Sequence, residues 1–188
     1  MTAEHAEYYI SVEDYLAGER ISQQKHEYLA GVIYAMAGTT IDHNRIAGNI
    51  LGELRHQLRG EPCEAFSSDV KVRIRQDAAE FYYYPDVTVD CGNAPGGSLF
   101  AEEPRAIFEV LSADTERIDR GEKLRNYQSI PSLEVYAMVD QHHVAVTVYR
   151  RTATGWEMQF LTQKSEVLDL PGIGCVLPLA AIYERTHL

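Results

Sequence analysis

A single carboxylate inside an apolar run constrains this chain more than any other feature. Residues 106–112 read Ala-Ile-Phe-Glu-Val-Leu-Ser, a strand by composition, with Glu109 at its centre. An isolated ionised carboxylate is costly to bury, so the fold must bring a compensating group to it. Alternation puts Ile107, Glu109 and Leu111 on one face of this strand. In the preceding stretch, "YYYPDVTVDC", read as a strand, Asp86, Thr88 and Asp90 share a face. If the two strands pair antiparallel through the 91–104 connection, Asp86 approaches Glu109. Adjacent carboxylates repel, and one takes up a proton unless a cation lies between them. A hard divalent ion, Mg2+ or Mn2+, suits such oxygens. A buried Arg or Lys is the other candidate.

The rest of the chain supplies a mixed α/β or α+β pattern. "SVEDYLAGE" reads as a first helix, with Ser11 and Asp14 at capping-box spacing. Ala30-Gly31 marks a turn, and a strand follows over 32–36. Ile46, Ile50, Leu54 and Leu58 recur at helical spacing, with Thr39 or Thr40 as cap and Gly60 as stop. That stripe projects back to His43, which should face inward at the helix N-terminus, where anions are favoured. "SDVKVRIR" alternates as a half-exposed strand with Lys71, Arg73 and Arg75 on its outer row. The strand at 106–112 leads into the charged helix "ADTERIDRGEKLRNYQSI", ended by Pro131. "LEVYAMV" and "VAVTVYRR" are further strands joined across "DQHH", and "WEMQFL" and "IGCVLPL" add late extended segments. A meander of three strands, a right-handed helical crossover and a parallel fourth strand give a mixed sheet flanked by helices.

Four stretches carry a family resemblance: "HEYLAGVIYAMAG", "YYYPDVTVDC", "IFEVLSADTERIDRGEKLRNY" and "IPSLEVYAMVD". Together they resemble the bacterial Uma-two family of restriction endonucleases, within the PD-(D/E)XK nuclease superfamily. The resemblance covers roughly residues 11–183. It implies a restriction-endonuclease-like core with extra strands at both ends, forming one domain over 1–188. It also implies metal-assisted hydrolysis of DNA phosphodiesters, with Asp86 and Glu109 as Mg2+ or Mn2+ ligands. The superfamily places a lysine two residues after the glutamate, but this chain has Leu111 there and offers Lys123 from the following helix. Glu27 matches a family acidic position and would add a metal or water contact, while His43 would orient a ligand or phosphate.

Each assignment has a plainer counterpart. Asp86 can open a strand after Pro85, Lys123 can pair with Asp119 on a solvated helix face, and Glu27 can be an ordinary surface charge. His43 and Tyr127 can be core residues, and His142-His143 an exposed turn. The formal net charge of −11 weakens non-specific attraction to nucleic acid, leaving Lys71, Arg73, Arg75, Arg117, Arg120 and Arg125 as a local basic rim. Leu111 and the acidic balance favour one alternative, a catalytically silent interaction protein on the nuclease fold; a phosphodiesterase acting on RNA is a third reading. A homodimer is compatible with cutting both strands of a duplex. No run approaches the length of a membrane helix, and the acidic N-terminus lacks a signal pattern, which points to the cytoplasm. Three widely spaced cysteines, Cys63, Cys91 and Cys175, read as reduced structural thiols.

Overall fold

The computed structural model describes residues 9–112 and 116–188, with the Arg117 side chain left outside. The start of the charged helix at 113–115 and the Arg117 part of the basic rim therefore lie outside the described residues. Helix α1 (Val12–Glu19) begins at Ser11, whose hydroxyl accepts the Asp14 amide at 3.0 Å. Strands β1 (His26–Leu29) and β2 (Val32–Ala35) form the hairpin expected around Ala30-Gly31. Its turn needs φ of +47° and +107° at those two residues; glycine adopts the second without a side-chain clash. Helix α2 (Ile41–Gln57) is capped by Thr40, whose hydroxyl accepts the His43 amide.

After α2 the chain forms β3 (Glu64–Ser67), β4 (Lys71–Gln76), β5 (Ala79–Tyr83), β6 (Val87–Asp90), β7 (Phe100–Ala101) and β8 (Pro104–Leu111). A helical segment follows: α3 (Glu116–Ile118), a π-helical turn (Asp119–Lys123) and α4 (Leu124–Gln128). Then come β9 (Val135–Asp140), β10 (Val146–Thr152), β11 (Gly155–Leu161), β12 (Val167–Leu170), β13 (Cys175–Pro178) and α5 (Leu179–Ile182).

The strands form a six-stranded sheet ordered β11-β10-β9-β8-β6-β3, a five-stranded sheet ordered β2-β1-β5-β4-β7, and the hairpin β12-β13. β8 is antiparallel to β6 and parallel to β9, as the crossover reading requires. One face of the six-stranded sheet buries Val87, Phe108 and Val139 against Ile46, Ile50 and Leu54 of α2. The opposite face packs Ile107, Leu111 and Met138 against Tyr127 of α4 and Val72 and Tyr83 of the five-stranded sheet. α1 covers the far side of that second sheet, with Tyr15 stacked on Tyr28 at 4.9 Å.

Four sequence expectations change. "YYYPDVTVDC" is not one strand: it is divided between β5 and β6, which belong to different sheets. Pro85 has no amide hydrogen for the ladder, so the chain breaks there and changes sheet. The strand neighbouring β6 is therefore β3, which the sequence reading did not find, and the 70–75 strand leaves the expected meander. The basic outer row survives only at Arg75, which is exposed. Lys71 is 6% exposed with its amine 4.9 Å from the Tyr84 ring centroid, and burial pulls its pKa down. Arg73 pairs with Glu102 and Arg75 with Glu80. Finally, Cys63 and Cys91 are joined as a disulfide, and only Cys175 is a free thiol. Glu64 of β3 faces Asp90 of β6, so the two cysteines sit one position beyond that pair with Cα atoms 4.1 Å apart. Among the described residues no helix is long and apolar enough to cross a membrane.

Candidate active site

The group that meets Glu109 is Lys123. The β6–β8 register aligns Val87 with Phe108, which carries the preceding Asp86 alongside Glu109 and Val110. The Val110 amide donates to Asp86 Oδ2 at 2.7 Å, fixing that carboxylate on the strand edge. His43, on the first turn of α2, places Nε2 3.4 Å from the same oxygen. From the opposite side, Lys123 Nζ lies 2.9 Å from Glu27 Oε1, 3.1 Å from Glu109 Oε1 and 3.4 Å from Asp119 Oδ1. Asp86, Glu109, Lys123, Glu27 and His43, all singled out from the sequence, thus line one open cleft of about 1190 Å³.

The π turn explains why Lys123 is inside. A π turn widens the helix by one residue and recurs at functional sites. Here Asp119 and Lys123 are 1% and 5% exposed, so their pair is buried, against the plainer reading of a solvated surface pair. The neighbouring Glu116–Arg120 pair is the exposed one, at 2.7 Å. Tyr136 Oη donates to the Asp119 carbonyl at 3.2 Å, tying the turn to β9.

Three further residues belong to the site. Tyr127 Oη donates to Glu109 Oε1 at 2.9 Å, so this buried ring is both core and hydrogen-bond partner. The spacing of Lys123 and Tyr127, one helical turn apart, was the available signal. Gln141 accepts from the Thr40 hydroxyl at 2.6 Å and donates to the Leu111 carbonyl at 2.8 Å, so it joins the start of α2 to the end of β8. The Tyr84 amide donates to Glu27 Oε1 at 3.3 Å, using the chain break before Pro85 to hold that carboxylate. Neither of these last two carried a signal in the sequence.

The electrostatics are lopsided. Four carboxylates, Glu27, Asp86, Glu109 and Asp119, share one lysine. Burial pushes the Glu109 carboxyl well above its usual value; Lys123 opposes this, while Asp119, Asp86 and Glu27 add repulsion. Burial likewise raises Asp86, against the pull of His43 and the Val110 amide. Burial alone would lower the Lys123 ammonium, but Glu109, Glu27 and Asp119 hold it well above its ordinary range. Lys123 therefore stays charged at neutral pH and serves as a donor and positive charge, not as a base.

The raised Glu109 value has a signed consequence. Between the ordinary carboxylate value and the raised one, the folded state holds a proton that the unfolded state has lost. Stability therefore falls as pH rises through that window. Glu109→Gln mimics the protonated form, and Tyr127 can still donate to the amide oxygen. At neutral pH the variant should melt at or above the wild-type temperature, and the two melting curves should converge in acid. A loss of several kcal/mol at neutral pH would instead make Glu109 an indispensable counter-ion for Lys123.

The mixed sheet flanked by helices is that of a nuclease-fold protein. It matches the crystal structure of "a putative nuclease belonging to DUF820" from Anabaena variabilis with a TM-score of 0.72 and 16% identity, covering 93% of this chain and 97% of that one. The chain belongs to the Uma2 family, described as "Putative restriction endonuclease", which it matches over residues 12–180. Two uncharacterized proteins of Synechocystis sp. are similar along most of their length. The protein slr1290 is 35% identical over 93% of this chain and 91% of its own, and sll1609 is 30% identical over 76% and 81%.

Proposed function

We propose that this protein is a divalent-metal-dependent endonuclease acting on DNA. Asp86 and Glu109 hold the ion, and Lys123 stabilises charge on the phosphate. One observation carries this reading: Asp86, Glu109 and Lys123, from three separate elements, meet in an open cleft. Lys123 supplies the positive charge that Leu111 cannot.

The donor set fits a divalent ion of the Mg2+ type. Among the described residues no group of three or more His, Cys, Asp or Glu side chains is placed to hold a metal ion, so the reading rests on the pair Asp86 and Glu109. Mg2+ is commonly held by one or two carboxylates, with water and substrate phosphate completing its shell. The excess of carboxylates over cations around Glu109 favours an added positive charge. A bound ion supplies Lewis-acid polarisation of the phosphate and makes water more acidic at the site.

The side chains do the rest. Lys123 donates toward negative charge developing on the phosphate, where preorganised donors act most strongly. Glu27 and Asp119 hold Lys123 protonated and aimed, and Tyr127 fixes one Glu109 oxygen. His43 fixes the Asp86 carboxylate through Nε2. Its buried Nδ1 has no hydrogen-bond partner among the described residues. The domain acts as one unit over residues 1–188.

A second reading follows from the same contacts. Glu109 and Lys123 already compensate one another, as expected of a silent nuclease fold retained for interactions. Incubating DNA with purified protein separates the two. Cleavage in Mg2+ or Mn2+, stopped by a chelator and abolished by Asp86→Ala, is the expected result. No cleavage by wild type, or a wild-type rate from Asp86→Ala, rules this site out.

A further inference from the structure

We propose that the cleft takes an unpaired nucleic-acid strand, with the Tyr34 ring stacking on a base beside the carboxylate–lysine cluster. This rests on the nuclease reading for the phosphodiester chemistry and adds the form of the substrate.

Tyr34 is placed by register. On the β1–β2 hairpin it lies directly opposite Glu27. Residues paired this way share a face, with Cβ atoms about 5 Å apart. Glu27 in turn touches Lys123 at 2.9 Å, so the ring stands one cross-strand step from the reacting groups. Eight tyrosines are buried, whereas Tyr34 is 51% exposed. Among the described residues it makes no ring contact and no side-chain hydrogen bond. Leu29 and Met36 extend this apolar wall along the cleft.

The cations argue in the same direction. Duplex binders gain most of their affinity by neutralising several phosphates. Here Arg73, Arg75 and Arg120 are paired with Glu102, Glu80 and Glu116, and Lys71 is buried. Arg125 remains at the cleft edge without an ion pair to a described residue. On a chain of net charge −11, the described part of that rim gives a duplex backbone little to hold. Unpaired strands also use backbone cations, but their bases add affinity by stacking on aromatic rings with little regard to sequence, which a duplex cannot do. An exposed ring next to the cluster and a rim with few free cations together select that mode.

The test compares one sequence as single-stranded DNA, single-stranded RNA and duplex DNA. Fluorescence anisotropy in Ca2+ measures binding to wild type, Tyr34→Ala and Tyr34→Phe, and a parallel assay in Mn2+ measures cleavage. At least one unpaired strand should bind about tenfold or more tightly than duplex, and the DNA and RNA arms identify which. Tyr34→Ala should weaken that binding about tenfold, the scale of one lost base stack, while Tyr34→Phe retains it. Melting temperatures should stay level, because the ring is half exposed. Duplex binding as tight as single-strand binding, unchanged affinity in Tyr34→Ala, or no binding of any form overturns the proposal. Tyr34-dependent binding without cleavage would sink only the hydrolytic reading. Duplex cleavage by Tyr34→Ala at the wild-type rate would sink only this inference.

Discussion

Lys123→Ala should destabilise the folded protein by about 3–5 kcal/mol, the usual consequence of removing one partner from a buried ion cluster. It should also reduce cleavage by roughly a hundredfold or more, the scale of losing one charge-stabilising donor. The two effects arise from the same ammonium. It lies within 3.4 Å of three carboxylates, and all four groups are largely buried. Without it, Glu27, Glu109 and Asp119 face one another with Asp86 close by, and each must take up a proton or remain unpaired. The penalty should therefore be greatest at alkaline pH and shrink toward the ordinary carboxylate range, where protons replace the lysine. Chemical denaturation from pH 5 to pH 8 reads that slope. Adding Glu109→Gln should recover part of the stability, because one stranded charge is gone, but none of the activity. A Lys123→Ala protein as stable as wild type at every pH would mean that the cluster is hydrated and the buried pairing energetically idle. Cleavage must be compared where circular dichroism shows the variant folded, so that a lost fold is not mistaken for lost chemistry.

The site was more legible than the sheets, for a physical reason. A charge inside an apolar strand demands a partner wherever the strand lies, so Glu109 pointed to its own surroundings before any topology was known. Asp86 followed from antiparallel pairing across one connection, and the structure has that pairing. Lys123 came through resemblance, because spacing alone reads Asp119 and Lys123 equally well as a solvated pair. The π turn that carries them inward depends on tertiary contacts such as the Tyr136 hydrogen bond. Sheet membership failed at Tyr84-Pro85-Asp86. Alternation records which face a residue occupies but not which sheet it joins, and β4 alternates in either setting. β3 was missed because its four residues, Glu-Ala-Phe-Ser, contain little apolar pattern. Missing β3 concealed the cysteine pairing as well, since only the β3–β6 register brings Cys63 to Cys91.

Reducing that bridge should lower the unfolding free energy by about 3.5 kcal/mol, the chain-entropy value for a closed loop of roughly this length. The pair spans 28 positions and ties β3, the edge of the six-stranded sheet, to β6. In this account the gain is set by the length of the closed loop in the unfolded chain, wherever the strand sits in the native sheet. A dithiol reductant should lower the melting temperature of wild type by roughly 10 °C, given 2–4 °C per kcal/mol for a domain of this size. A Cys63→Ser/Cys91→Ser protein should start near that lower temperature and ignore reductant, which isolates the bridge from any effect on Cys175. Catalysis should respond differently. Asp86 lies just before β6 and Cys91 just after it, about 17 Å apart along an extended strand. The Val110 amide and His43 hold its carboxylate independently of β3. Below its melting transition the reduced protein should therefore cleave at the oxidised rate. A reductant-insensitive melting temperature would mean that the β3–β6 ladder holds without its covalent tie. A cleavage rate that falls with reduction at low temperature would mean that strain at the sheet edge reaches the site along β6.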